Sequence, residues 1–285
     1  MKYSFFPGCS LESTAQDFRM STFAVAEALG VQMEELPDWT CCGSSPAHST
    51  DEVLAAALPA RNLAIAKSLE RDMVVCCAAC YSRLASANQA LAENENLRIE
   101  VAKVIGHGYG GSVRVRHFLQ VLRDDVGLAE IKDRVTKSLS GLKVACYYGC
   151  LLTRPKELSI LDDPEDPQMM EELLIAAGAD PVEWPYKTEC CGASFSITRT
   201  ETVKRLSGEI LRMAKQSGAE CIAVACPLCQ TNLDLRQAEI EQASGEKFEL
   251  PVFYFTQLLG RAMGLSDNAL GIGKLMTDPA RVLAR

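Results

Sequence analysis

Ten of the thirteen cysteines in this chain fall into two copies of one pattern. The first copy is Cys9, then Cys41-Cys42-Gly43, then Cys77 and Cys80 as C-x-x-C. The second is Cys150, then Cys190-Cys191-Gly192, then Cys226 and Cys229. From the adjacent pair to the C-x-x-C there are 34 intervening residues in both copies, and from the lone cysteine to the pair there are 31 and 39. Two five-cysteine sets at matched spacing predict two metal-cluster sites, one in each half of an internal repeat.

The repeat extends beyond the cysteines. Met1 to Cys9 reads as a short strand running into Pro-Gly-Cys, and Leu142 to Cys150 reads the same way. The apolar run Met73–Cys76 delivers the first C-x-x-C, and Ile222–Ala225 delivers the second. Such short apolar runs between helical patterns predict buried strands. The segment His117–Leu122 corresponds to Tyr254–Leu259. Helices are predicted over Ala15–Leu29 before Gly30, over Glu52–Leu69, and over Thr202–Gln216 before Gly218. Strand–helix alternation in each half predicts an α/β fold of two small, mainly parallel sheets with flanking helices. The expected units are residues 1–140 and 141–285, with the seam near Ser138–Gly141 and a tail of helix and loop after Gly264. Asp162–Pro167 reads as a surface loop. Gly106–Gly111 matches G-x-G-x-x-G, but Ser112–Arg116 after it reads as a strand, whereas a nucleotide site needs a helix there. It is read as a connection.

With 285 residues, 48% of them hydrophobic and 23% charged, the chain can bury real cores without disulfide support. The N-terminal residues lack the apolar run of a signal peptide, and no stretch approaches about 18 uninterrupted apolar residues. The expectation is a cytoplasmic protein with reduced thiols and no membrane span. A net charge of -8 argues against nucleic acid as a partner, since phosphate binding calls for a basic face.

Thiolates bind soft metals, chiefly zinc, copper(I) and iron–sulfur clusters. A helix starting at each C-x-x-C would turn its free N–H groups toward the sulfurs, and Pro227 suits the first helical position. Adjacent cysteines require a bend, which Gly43 and Gly192 permit. Structural zinc commonly uses two C-x-x-C knuckles or Cys/His mixtures, and neither half has two knuckles. A cubane needs four cysteines; five per set point beyond it.

The Cys…Cys-Cys-Gly…C-x-x-C arrangement, present twice and without a ferredoxin motif, resembles the B-subunit of heterodisulfide reductase and its relatives, built from two cysteine-rich CCG domains. The likeness includes Ala57–Ala64 and Val113–His117. It implies two noncubane [4Fe-4S] clusters, with Cys9, Cys41, Cys42, Cys77 and Cys80 as ligands of one and Cys150, Cys190, Cys191, Cys226 and Cys229 of the other. It also implies a pseudo-two-fold placing one cluster on each side of a disulfide substrate, each taking one sulfur as the bond is reduced to two thiols, or the reverse. Implied partners are an iron–sulfur protein resembling the C-subunit of heterodisulfide reductase, a flavoprotein resembling its A-subunit, and a thiol, disulfide or protein-carried sulfur substrate. CCG domains also occur in subunits that relay electrons towards quinones; that is the competing function, with a structural zinc protein third.

Cys76, Cys146 and Cys221 lie outside the pattern and read as small buried hydrophobes. Cys76 is an alternative ligand to Cys77, although the equal spacing favours Cys77. His48 lies near the first pair, as an ordinary loop histidine or as a proton source for a released thiolate. His117 reads as a backbone-bonding residue. Arg61 and Lys67 read as solvated charges or as groups that meet an acidic substrate.

Overall fold

The computed structural model describes residues 1–284. It contains two four-stranded sheets, each wholly parallel. The first joins β1 (Lys2–Phe6), β2 (Gln32–Glu35), β3 (Met73–Val75) and β4 (Val115–His117) in the order β2-β1-β3-β4. The second joins β5 (Lys143–Tyr147), β6 (Asp180–Pro181), β7 (Cys221–Val224) and β8 (Val252–Tyr254) in the order β6-β5-β7-β8. The chain is thus an α/β protein of two like units. Registers match as well: Phe6 pairs with Val75 and Val75 with His117, as Tyr147 pairs with Val224 and Val224 with Tyr254.

The central strands β3 and β7 are buried along their whole length. A parallel strand covered on both faces reads as an unbroken apolar run, which is why these two are visible in the sequence. The edge strand β2, Gln-Met-Glu-Glu, is largely exposed, and β6 has only two residues; neither carries a pattern. The strand expected over Ser112–Arg116 begins later, at Val115.

Helices Gln16–Ala28, Glu52–Ser68 and Thr200–Gln216 lie where the periodicity puts them. Asp51 caps the second of these, accepting from the Leu54 N–H at 2.7 Å. Two further helices, Ala78–Glu93 and Glu95–Ile105, follow the first C-x-x-C. The latter closes at Gly106 in the left-handed conformation, so the G-x-G-x-x-G segment follows a helix and leads into β4, not into a phosphate-binding helix.

The two halves share one continuous apolar core. Helix Gln16–Ala28 packs on helix Phe255–Ala262. Phe18 stacks on Tyr254 with centroids 4.0 Å apart and planes 3° from parallel. Ser21 and Thr256 share a buried hydroxyl contact of 2.7 Å. After Gly264 the chain is held down: Leu270, Ile272 and Val282 are buried, and Asp234 accepts from the Met276 and Thr277 N–H groups at 2.8 and 3.1 Å. Asp162–Pro167 is an irregular, mostly exposed segment, with Asp163 accepting from the Glu165 N–H.

Candidate metal-cluster site

In the order β2-β1-β3-β4, the connection after β1 runs to β2 on one side and the connection after β3 runs to β4 on the other. Such a switch point opens a crevice at the carboxyl ends of the strands, where ligands of parallel sheets bind. Cys9 follows the end of β1 and Cys77 the end of β3; Cys150 and Cys226 follow β5 and β7. Cys77 is the N-cap of helix Ala78–Glu93, so Cys80 sits in its first turn beside N–H groups that favour thiolate. Pro227 occupies the first position of helix Pro227–Gln230, where no N–H is needed.

Gly43 and Gly192 follow the adjacent cysteines with φ of 83° and 81°, a left-handed bend that glycine adopts readily. Gly8 and Gly149, each just before a lone cysteine, have φ of 65° and 68°. A Cβ on Gly8 would lie 2.9 Å from the Cys80 sulfur, and one on Gly149 3.0 Å from the Cys229 sulfur. Glycine lets the backbone pass directly over the second sulfur of each C-x-x-C.

The sulfurs of each set are neighbours. Cys42 and Cys80 are 3.4 Å apart and Cys191 and Cys229 3.7 Å. The neighbouring Cys42 and Cys9 thiols push the pKa of Cys41 down to about 2. The neighbouring Cys150 thiol lowers Cys190 to about 6, and the Gly192 N–H donates to the same sulfur at 3.3 Å. Cys229 and Cys77 lower Cys226 well below the ordinary thiol range, and sharing a proton raises Cys77, Cys80 and Cys229. Cys9, Cys41 and Cys190 are exposed, Cys150 is half-buried and the other six are buried. Among the described residues no three His, Cys, Asp or Glu side chains are arranged to hold a single metal ion. The donors are thiols only, already sharing protons as a soft metal or iron–sulfur cluster would displace them.

The two sets meet. Cys77 and Cys226 lie close enough across the seam for each thiol to shift the other's pKa. Ser45 and Ser194, each two residues beyond a Cys-Cys-Gly glycine, touch at 2.8 Å. His117 completes the line: its Nε2 lies 2.7 Å from the Cys76 carbonyl and 3.1 Å from that of Ala225, each one residue before a C-x-x-C. Its Nδ1 accepts from the Leu119 N–H, so Nε2 carries the hydrogen. Burial pushes the pKa of His117 down to about 4, and the ring is neutral. Equivalent positions of the two repeats thus meet at the seam: Ser45 with Ser194, and the Cys76 and Ala225 carbonyls on the one His117 ring.

The remaining sequence candidates separate clearly. Cys76, Cys146 and Cys221 are fully buried in or beside strands, and Cys76 faces Thr22 at 3.6 Å while Cys77 faces the other sulfurs. Arg61 is paired with Asp38 and is committed to that loop. Lys67 is exposed at the far end of its helix, and His107 bonds to the Ile105 carbonyl at 2.9 Å. His48 is exposed on helix Ser44–Thr50 and lines a groove near the first set.

Other residues position the site without any sequence signal of their own. Asn62 clamps Thr40, accepting from its N–H at 2.8 Å and donating to its carbonyl at 2.9 Å, and so fixes the approach to Cys41. Tyr147 donates to the Glu189 carbonyl at 2.6 Å and fixes the approach to Cys190. Asn62 is fully buried although polar, beside the part-exposed Arg61 of the same helix, and nothing in its sequence position marks it. A cavity of about 70 Å³ is lined by all five cysteines of the second set, by Tyr147 and Tyr148, and by Arg83 from the first half.

The cysteine-rich domain family model, CCG, matches residues 3–85 and 144–234. The 8-methylmenaquinol:fumarate reductase membrane anchor subunit of Wolinella succinogenes is 31% identical over 99% of this chain and 99% of its own. The B-subunit of the ferredoxin:CoB-CoM heterodisulfide reductase of Methanosarcina mazei is 31% identical over 100% of this chain and 96% of its own. A protein of Archaeoglobus profundus described as like the heterodisulfide reductase B-subunit is 30% identical over 100% and 98%. Among solved structures, a hypothetical protein from Helicobacter pylori shares the fold, with a TM-score of 0.78 at 12% identity over 97% of this chain and 52% of that one. The chain is a two-copy CCG cysteine-rich domain protein of the heterodisulfide reductase B-subunit family.

Proposed function

We propose that this chain is the iron–sulfur subunit of a complex that reduces a disulfide to two thiols, or joins two thiols in reverse. The single observation that carries the reading is that the two like five-thiol sets meet across the seam, with Ser45 against Ser194 at 2.8 Å and the Cys76 and Ala225 carbonyls both on His117 at 2.7 and 3.1 Å. Cys9, Cys41, Cys42, Cys77 and Cys80 would hold one noncubane [4Fe-4S] cluster, and Cys150, Cys190, Cys191, Cys226 and Cys229 the other. When bound, such clusters supply one-electron transfers and iron with an affinity for sulfur. The balanced reaction takes one disulfide, two electrons and two protons to two thiols. The chain's own residues hold the ligands in place: Gly8 and Gly149 allow close approach, Asn62 and Tyr147 fix the loops, and His117 ties the halves.

Electrons would come from an iron–sulfur protein resembling the C-subunit of heterodisulfide reductase, fed by a flavoprotein resembling its A-subunit. No helix among the described residues is long and apolar enough to cross a membrane, and we place the complex in the cytoplasm. The units would divide at residues 140 and 141.

The Wolinella relative favours a second reading, electron relay towards a quinone without a disulfide substrate. The two separate by adding thiols and disulfides to the oxidised, cluster-loaded chain. A changed EPR spectrum supports sulfur chemistry; no response to any of them supports the relay.

A further inference from the structure

The repeat breaks around the second cysteine of each adjacent pair. Three residues after the last cysteine of each C-x-x-C stand Arg83 in the first half and Asn232 in the second. Sixteen residues after each adjacent pair stand Leu58 and Ser207. The second half thus has two neutral donors where the first has a guanidinium and an apolar group, and both donors converge on Cys191. Asn232 is fully buried and donates to the Cys191 carbonyl at 3.2 Å and to its sulfur at 3.5 Å. Ser207, also fully buried, donates to the same carbonyl at 3.1 Å. Leu58 has nothing to donate to Cys42. Arg83 is half-buried, its Nε is buried without a partner, and it does not hydrogen-bond to Cys42.

The local chain holds the Asn232 amide in one orientation. Helix Pro227–Gln230 widens into a π-helical turn over Thr231–Leu235, whereas Arg83 stands inside the regular helix Ala78–Glu93. Such single π-turns are frequent at functional positions. The Cys191 carbonyl can only accept, so the nitrogen end of the amide faces Cys191. The Ser196 hydroxyl fixes the oxygen end at 3.0 Å, and Arg236 holds the Ser196 carbonyl at 2.7 Å. A buried N–H aimed at a ligand sulfur stabilises the negative charge that reduction adds, so it raises the reduction potential of an iron–sulfur site. We propose that Asn232 is a positioning residue that acts through the Cys191 sulfur: it raises the reduction potential of the cluster held by the second cysteine set, leaves that of the first set unmoved, and so sets the two sides of the site apart as electron acceptors. This rests on the reading of the second cysteine set as an iron–sulfur site.

The test is a potentiometric titration of the full, cluster-loaded chain followed by EPR, with the two signals assigned from Cys41→Ala and Cys190→Ala. Asn232→Leu removes the donor without adding charge. It is expected to make the second signal about tenfold harder to reduce in the one-electron equilibrium, a downward shift of about 59 mV, with the first signal unmoved. Asn232→Asp keeps the size and the Ser196 contact, removes the N–H groups and shifts the second signal down at least as far. An unmoved second midpoint in Asn232→Leu overturns the proposal. So do equal shifts of both signals, since a residue that only supports the fold disturbs the two sites alike. Should neither variant load the second set, Ser196→Ala decides, because it frees the oxygen end of the amide: a smaller downward shift of the second signal supports the proposal and none overturns it. A wild type that loads no cluster in the second set overturns the reading of that set and the proposal with it, whereas a loaded second cluster indifferent to Asn232 overturns the proposal alone.

Discussion

Gly8 and Gly149 set a tight limit on what can stand before the lone cysteine of each set. An alanine Cβ would lie 2.9 Å from the Cys80 sulfur at Gly8 and 3.0 Å from the Cys229 sulfur at Gly149, well inside van der Waals contact, and would take a positive φ at a strain of about 1–2 kcal/mol. The expected outcome for Gly8→Ala is a folded chain that loses the iron of the first set and keeps the second; Gly149→Ala should do the reverse. Iron analysis with EPR of each variant checks this, and full loading of both sets in either variant contradicts it. At this scale the cysteines are legible because their spacing repeats. Asn232, Asn62 and Tyr147 are not, because a single polar residue carries no period. Their importance comes from what the fold brings to them: a cysteine sulfur, a clamped carbonyl, a loop end.

Among the elements, legibility follows burial. β3 and β7 stand out as apolar runs because sheet neighbours and helices cover them on both faces. β2 is a polar edge, and nothing in Gln-Met-Glu-Glu distinguishes it from a loop. The role of β4 is half visible: His117 reads as a backbone-bonding residue, but the second carbonyl it meets lies 108 positions away, a contact that only the packing of the halves creates. This tie is expected to show in the pH dependence of stability. The pKa of His117 is about 4 in the folded chain against 6.5 ordinarily. Above pH 6.5 the ring is neutral in both states and the tie is at full strength. As pH falls from 6.5 towards 4 the unfolded chain takes up a proton that the folded chain refuses, so stability falls. At about 1.4 kcal/mol per pH unit the loss reaches about 3 kcal/mol. His117→Gln keeps a donor and removes the titration. Urea unfolding of both proteins between pH 7 and 4 should give a shallower loss for His117→Gln; identical slopes contradict the assignment.

For the whole molecule, the doubling visible in the cysteine spacing becomes a pair of parallel sheets with like registers, joined through one apolar core. What the sequence leaves open is how the halves face one another. That depends on Phe18 against Tyr254, on Ser45 against Ser194 and on Cys77 against Cys226, pairs drawn from opposite halves. Their meeting turns two separate thiol sets into one site with two sides, which is the central claim. The most direct test is the iron and acid-labile sulfide content of the anaerobically prepared chain, wild type beside Cys41→Ala and Cys190→Ala. With four irons to each cluster, the account predicts about eight irons with matching sulfide in the wild type and about four in each variant, a different EPR signal surviving in each. Zinc without sulfide, or about four irons in the wild type, would contradict it.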